Sequence, residues 1–170
     1  MKKGFQMRFL LVMAMVVFGA GLAAAQENAG KQIGDWTLRC NAQQNGGEVC
    51  SLRQRVTSGE TLLGEVSLNM VQIDGAPRVL MVMNVPEGAA LNIAPGYIVD
   101  GAGDAVNLSW RTCLRDLCRA AAILSQPQQG AIMAGNVMTL GYRKFREDNT
   151  TAFPVSLRGV TAGLAALSAR

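Results

Sequence analysis

From residue 35 onward, apolar and polar positions alternate along most of the chain. In Asp35-Trp36-Thr37-Leu38-Arg39-Cys40, Trp36, Leu38 and Cys40 share one side and Asp35, Thr37 and Arg39 the other. That period of two is the mark of a half-buried strand. Cys50, Leu52 and Val56 alternate with Ser51, Arg53 and Arg55 in the same way. Residues 62–73 predict a long strand, turned by Asp74-Gly75. Val79-Leu80-Met81-Val82-Met83 is the densest apolar run and predicts a central strand covered on both faces. Pro86-Glu87-Gly88 breaks it. Shorter strands are expected at 91–93, at 97–99 behind a Pro95-Gly96 type II turn, and at 106–113, 118–124, 136–143 and 152–157. Pro154 puts the last of these at an edge or a bulge. Residues 128–134 read as a short helix or turn. Val160, Leu164 and Leu167 give 159–169 a helical spacing. About eight or nine short strands with regular turn signals argue for an all-β antiparallel sandwich or barrel with a short C-terminal helix.

The start of the chain follows a different pattern. Lys2, Lys3 and Arg8 precede an unbroken apolar run from Phe9 to Phe18, and Ala23-Ala24-Ala25 offers a cleavage junction before Gln26. These are the parts of a secretory signal peptide. Residues 1–25 are therefore expected to be removed, 26–32 to form a flexible leader, and 33–168 to form a single domain. Loss of Lys2, Lys3 and Arg8 takes the formal charge from +4 to +1. A near-neutral chain argues against nucleic-acid binding, which depends on neutralising phosphates. No second apolar span follows, so the cleaved chain is not expected to span a membrane. The expected compartment is the periplasm, with outer-membrane association or secretion as extensions.

The chain has no histidine, which removes every mechanism that needs an imidazole. Its four cysteines, Cys40, Cys50, Cys113 and Cys118, are an even set in an exported chain and imply two disulfides. Three connectivities are open. The local one, Cys40–Cys50 with Cys113–Cys118, closes short loops at low entropic cost. Two readings compete with it. Cys113 and Cys118 beside Arg111, Arg115 and Arg119 could serve a periplasmic thiol–disulfide enzyme, although four residues separate them rather than two. A zinc site of all four cysteines has poor spacing for that ion.

Basic residues after position 25 are dominated by arginine, which grips carboxylates and phosphates bidentately. If Cys40 lies opposite Cys50, Thr37 faces Arg53, Asp35 faces Arg55 in an ion pair, and Arg39 lies diagonal to Arg53. Arg39 and Arg53, with Arg111 or Arg119, then make a candidate anion-binding face. Asp100-Gly101-Ala102-Gly103-Asp104 carries too few oxygens for calcium and reads as a turn. Trp36 and Trp110 are assigned to the core, and the methionines after the start to core gaps.

Several of these features occur together in one family. Gly34-Asp35-Trp36 leads to Cys40, with Cys50 behind it; Trp110 to Cys113 precedes Cys118. Phe153-Pro154-Val155-Ser156-Leu157-Arg158-Gly159-Val160 then introduces the final helix. Across 33–167 the chain resembles the invasion-associated locus B family of small exported bacterial proteins. The resemblance implies a periplasmic or envelope protein with an immunoglobulin-like β-sandwich, and it offers no catalytic residues to transfer. The second cysteine pair encloses Leu-Arg-Asp-Leu, whereas the family usually has glycine before the last cysteine, so the turn inside it is expected to differ.

Taken together, these readings predict a non-enzymatic envelope interaction module without cofactor or metal. Its partner is expected to be an envelope protein or an anionic envelope component. The alternatives are the thiol–disulfide enzyme and a chaperone-like binder that offers a sheet edge to clients.

Overall fold

A computed structural model describes residues 30–43 and 47–169. The expected signal peptide, its cleavage junction and leader residues 26–29 lie outside them. Five strands open the described chain: β1 (Lys31–Ile33), β2 (Trp36–Ala42), β3 (Glu48–Ser58), β4 (Thr61–Ile73) and β5 (Ala76–Pro86). Then come β6 (Gly96–Val99), β7 (Ala102–Asn107), β8 (Ser109–Leu114) and β9 (Leu117–Leu124). Helix α1 (Gln126–Ala134), β10 (Val137–Arg143), β11 (Thr150–Ser156) and α2 (Val160–Ser168) complete the order.

All pairings are antiparallel. One sheet runs β1-β2-β3-β4-β5-β9-β8, the other β11-β10-β6-β7. Alternation does the positioning. Trp36, Leu38, Leu52, Val66, Leu68, Met81 and Met83 point inward from the first sheet and meet Tyr97, Met138, Leu140, Phe153 and Val155 of the second in one core. Gly64 makes room for Phe153, because a Cβ there would lie 2.3 Å from the ring. Four strands cannot cover seven, and α2 covers part of the remainder. Gly163 brings its backbone onto Leu52 so closely that a Cβ would lie 2.3 Å from Leu52 Cδ2. Thus α2 packs over β1 to β4.

Both disulfides are the local ones, Cys40–Cys50 and Cys113–Cys118. Each joins directly opposed residues of neighbouring strands. Asp74-Gly75 turns β4 into β5 with both residues at positive φ, as a tight hairpin requires. In the turn inside the second bridge the positive φ falls on Arg115, and not on Leu117 before the last cysteine. Ser125 and Gln128 form a capping box that starts α1.

The chain departs from the predicted elements at five places. Lys31 and Gln32, expected in the leader, pair with β2. Residues 91–93 form a turn, with the Ile93 amide donating to the Ala90 carbonyl at 3.1 Å. The expected strand 106–113 is two strands in different sheets. Leu108, 1% exposed, sits at the crossing with its amide bonded to the Pro95 carbonyl. Gly96 has no positive φ, so Pro95-Gly96 is not a type II turn; a Cβ there would lie 3.0 Å from the Val106 carbonyl oxygen. Lastly, the 79–83 run is covered on one face only. Val79, Met81 and Met83 are buried, whereas Leu80 and Val82 lie on the outer side, partly exposed.

Candidate functional site

Gly34-Asp35-Trp36 and Ser156-Leu157-Arg158-Gly159 form a clasp. The Asp35 carboxylate accepts from Ser156 Oγ at 2.6 Å and Arg158 Nε at 3.1 Å, and pairs with Arg158 Nη2. Those bonds, from Arg158 first and then Ser156, hold the carboxyl down at about 2 and raise the guanidinium. Trp36 Nε1 and Gln54 Nε2 donate to the Ser156 carbonyl, while Gln54 Oε1 accepts the Ser156 amide. Gly34 and Gly159 lie against each other: a Cβ on either would fall within 2.3 Å of a backbone oxygen. The partner expected for Asp35 was Arg55; the structure pairs it with Arg158, from the far end of the chain. The residues that carry the family resemblance therefore tie the first strands to the last.

Other candidate groups are also occupied. The Asp100 carboxylate accepts from the amides of Asn136 and Val137 at 2.8–3.1 Å, which lowers its pKa. It locks a turn and is not free for calcium. Cys113 and Cys118 are bridged within a hairpin, and Cys118 is 2% exposed. Neither sits at a helix N-terminus, where a thiolate would be stabilised. With both pairs bridged, no thiolate is left for zinc. A cleft of about 210 Å³ between α1 and the β6–β7 hairpin is lined by Tyr97, Val99, Asp104, Val106, Pro127 and Gln128. Burial pushes the Tyr97 hydroxyl up to about 12, so it stays protonated at ordinary pH.

The sheet edges are blunted. Strand β1 has three residues, β11 carries Pro154, and both β7 and β8 meet their neighbours through register shifts. Such devices discourage added strands, so the client-binding reading finds no long flat edge among the described residues.

The outer face of the seven-stranded sheet is different. The register sets Thr37 opposite Arg53 and Cys40 opposite Cys50, as expected, with Arg39 opposite Ser51. Arg39, Arg53, Arg55, Arg78 and Arg119 occupy outward strand positions, against one outward carboxylate, Glu65. None of these arginines forms an ion pair among the described residues; the ion pairs there are Arg158–Asp35 and Lys144–Glu147. Glu60, Asp74, Glu87 and Asp116 lie in the turns. The arginines rest on neutral acceptors. Arg53 Nε donates to Ser51 Oγ at 2.7 Å, and Arg119 Nε to Asn84 Oδ1 at 3.0 Å. Ser51 and Asn84 are 3% and 8% exposed on a face without a covering layer among the described residues, because the arginine stems lie over them.

Of the sequence candidates, Arg39 and Arg53 come together on adjacent strands. Arg119 shares their face but stands three strands from β3, in the row Arg55–Glu65–Asn84–Arg119. Arg111 sits in the bulge of edge strand β8, apart from them. Arg55 and Arg78 were missed, the first because Asp35 was assigned to it. Carrying the same alternation into β5 finds Arg78, two positions before Leu80.

Comparisons with known proteins agree with this architecture. The chain is 26% identical over 166 residues to the Invasion protein B homolog of Brucella abortus (strain 2308), covering 95% of this chain and 91% of that protein. The homolog of biovar 1 (strain 9-941) matches equally. The crystal structure of invasion associated protein b from Bartonella henselae aligns with a TM-score of 0.68 at 20% identity, over 82% of this chain and 94% of that one. That similarity is one of fold. The model of the family described as Invasion associated locus B (IalB) protein matches residues 36–168, and the chain belongs to that family.

Proposed function

We propose that this protein acts by binding rather than catalysis, as a disulfide-stapled module of the bacterial envelope. In this reading an N-terminal signal sends it to the periplasm, and the arginine-bearing outer face recognises an anionic envelope component. The observation that carries the reading is charge placement. A chain of nearly balanced charge sets arginines on one sheet face where they form no ion pair among the described residues, with the Nε of two of them already satisfied by neutral groups. A guanidinium held this way presents its Nη atoms as a ready fork for an oxyanion. Catalysis draws little support from the rest of the molecule. Histidine is absent, Cys118 is buried and its bridge to Cys113 lies in a hairpin rather than at a helix N-terminus, and the Asp35 and Asp100 carboxylates serve the fold. The relatives are named for invasion, and a binding module on the envelope is a part that such a process can use.

The test is a salt titration of binding to soluble polyphosphate, using the exported chain from Gln26 and an Arg39→Ala/Arg53→Ala variant. Wild type is expected to bind with an affinity that falls as salt rises. The variant should bind about tenfold or more weakly, since each lost contact is a charge-assisted hydrogen bond. Equal binding by the two proteins would refute the face as the recognition surface.

A further inference from the structure

The outer face has a second half that a simple polyanion site does not explain. Next to the arginine half, Leu80 and Val82 of β5 stand beside Ile123 and Ala121 of β9, Leu80 opposite Ile123 and Val82 opposite Ala121. These four side chains form one apolar block. Ile123 is 43% exposed, and Leu80 and Val82 are half-buried. Arginines border the block. Arg78 lies two residues before Leu80, and Arg119 two residues before Ala121, each on the same side of its strand. Arg53 and Ser67 lead to Val82 across the ladder, which puts Arg53 roughly 10 Å from the block at the usual strand spacing.

From this arrangement we infer that the outer face seats on a membrane surface rich in anionic phospholipid. The inference rests on the binding role proposed above and names its ligand. Arg39, Arg53 and Arg119 take headgroup phosphates through their Nη groups, while Leu80, Val82 and Ile123 meet the glycerol and upper acyl level. Two features favour an amphiphile over a soluble polyanion. A polyanion would lay charge across the apolar block, leaving its exposed area without a partner. Long arginine stems around an apolar patch suit an interface, where the stem lies in apolar surroundings and the guanidinium reaches the phosphates.

The experiment uses the exported chain with phosphatidylcholine vesicles, with and without phosphatidylglycerol, read by co-sedimentation; soluble polyphosphate serves as the lipid-free polyanion. Binding is expected only with phosphatidylglycerol present. Each of Arg39→Ala and Arg53→Ala should weaken it about fivefold, the attraction of one arginine to an anionic surface. Ile123→Ser, at an exposed position, should weaken vesicle binding while leaving polyphosphate binding unchanged. Leu80→Ser repeats that test at a second position. Polyphosphate binding without vesicle binding would overturn the lipid inference and leave the arginine face standing. Vesicle binding indifferent to both serine variants would also overturn it. If neither probe binds the folded protein, both the lipid inference and the binding face fail.

Discussion

Asp35 shows how one residue serves the fold at a position that resembles a functional one. Its carboxylate takes bonds from Arg158 and Ser156, and its pKa stands at about 2, below the unfolded value of about 3.9. The unfolded chain therefore binds this proton first as pH falls. The contribution of the ionised group is present in full above the unfolded pKa and is lost as pH drops through the folded one. Asp35→Asn keeps the shape and removes the charge. Wild type should be more stable than Asp35→Asn at pH 6, and the gap should close as pH falls from about 4 to about 2. Thermal midpoints measured across that range check it; a gap independent of pH would mean that the carboxylate's charge does not hold the clasp.

At the scale of elements, the glycines of the two helices give opposite forecasts. Alanine usually improves a helix interior over glycine by about 0.5–1 kcal/mol. Gly130 in α1 has open space where a Cβ would go, so Gly130→Ala should stabilise by about that amount. Gly163 in α2 faces Leu52, which is fully buried and has no free direction to move. Overpacking of this kind costs about 1–3 kcal/mol and outweighs the helix gain, so Gly163→Ala should destabilise. Denaturant midpoints of the two variants decide whether α2 is seated as closely as described. The pattern of legibility in the sequence has the same origin. Alternation is local, so most of β2 to β5, β9 and β10 could be read, and the cysteines set the β2–β3 register that puts Arg39 and Arg53 together. Strand β1 has three residues, too few to show a period. The chain switches sheets at Leu108 without breaking the alternation, which hid the division of β7 from β8. Asp35's partner lies 123 residues away, and no local pattern reports such a contact. The apolar run 79–83 announced an uncommon strand, but not that one of its faces stays open.

The whole molecule separates net charge from charge distribution. Without residues 1–25 the formal charge is +1, which predicts weak behaviour on a cation exchanger at neutral pH. A face bearing Arg39, Arg53, Arg55, Arg78 and Arg119 against Glu65 predicts the reverse, because at physiological salt a surface senses charge within roughly 8 Å rather than the total. Two triple variants separate these views. Arg39→Ala/Arg53→Ala/Arg119→Ala removes three of the five arginines of the face; Arg115→Ala/Lys144→Ala/Arg146→Ala removes the same charge from turns and loops elsewhere. If net charge governed retention, the two would elute together, both ahead of wild type. With the face as the contact surface, the first should elute far earlier than the second, and the second should stay near wild type. The loop set sits among acidic neighbours, Asp116, Glu147 and Asp148, and Lys144 is already paired with Glu147. Its cations are therefore offset in place, whereas those of the face are not. Co-elution of the two variants would show that the sheet does not concentrate the positive field, and would remove the electrostatic basis for the membrane contact.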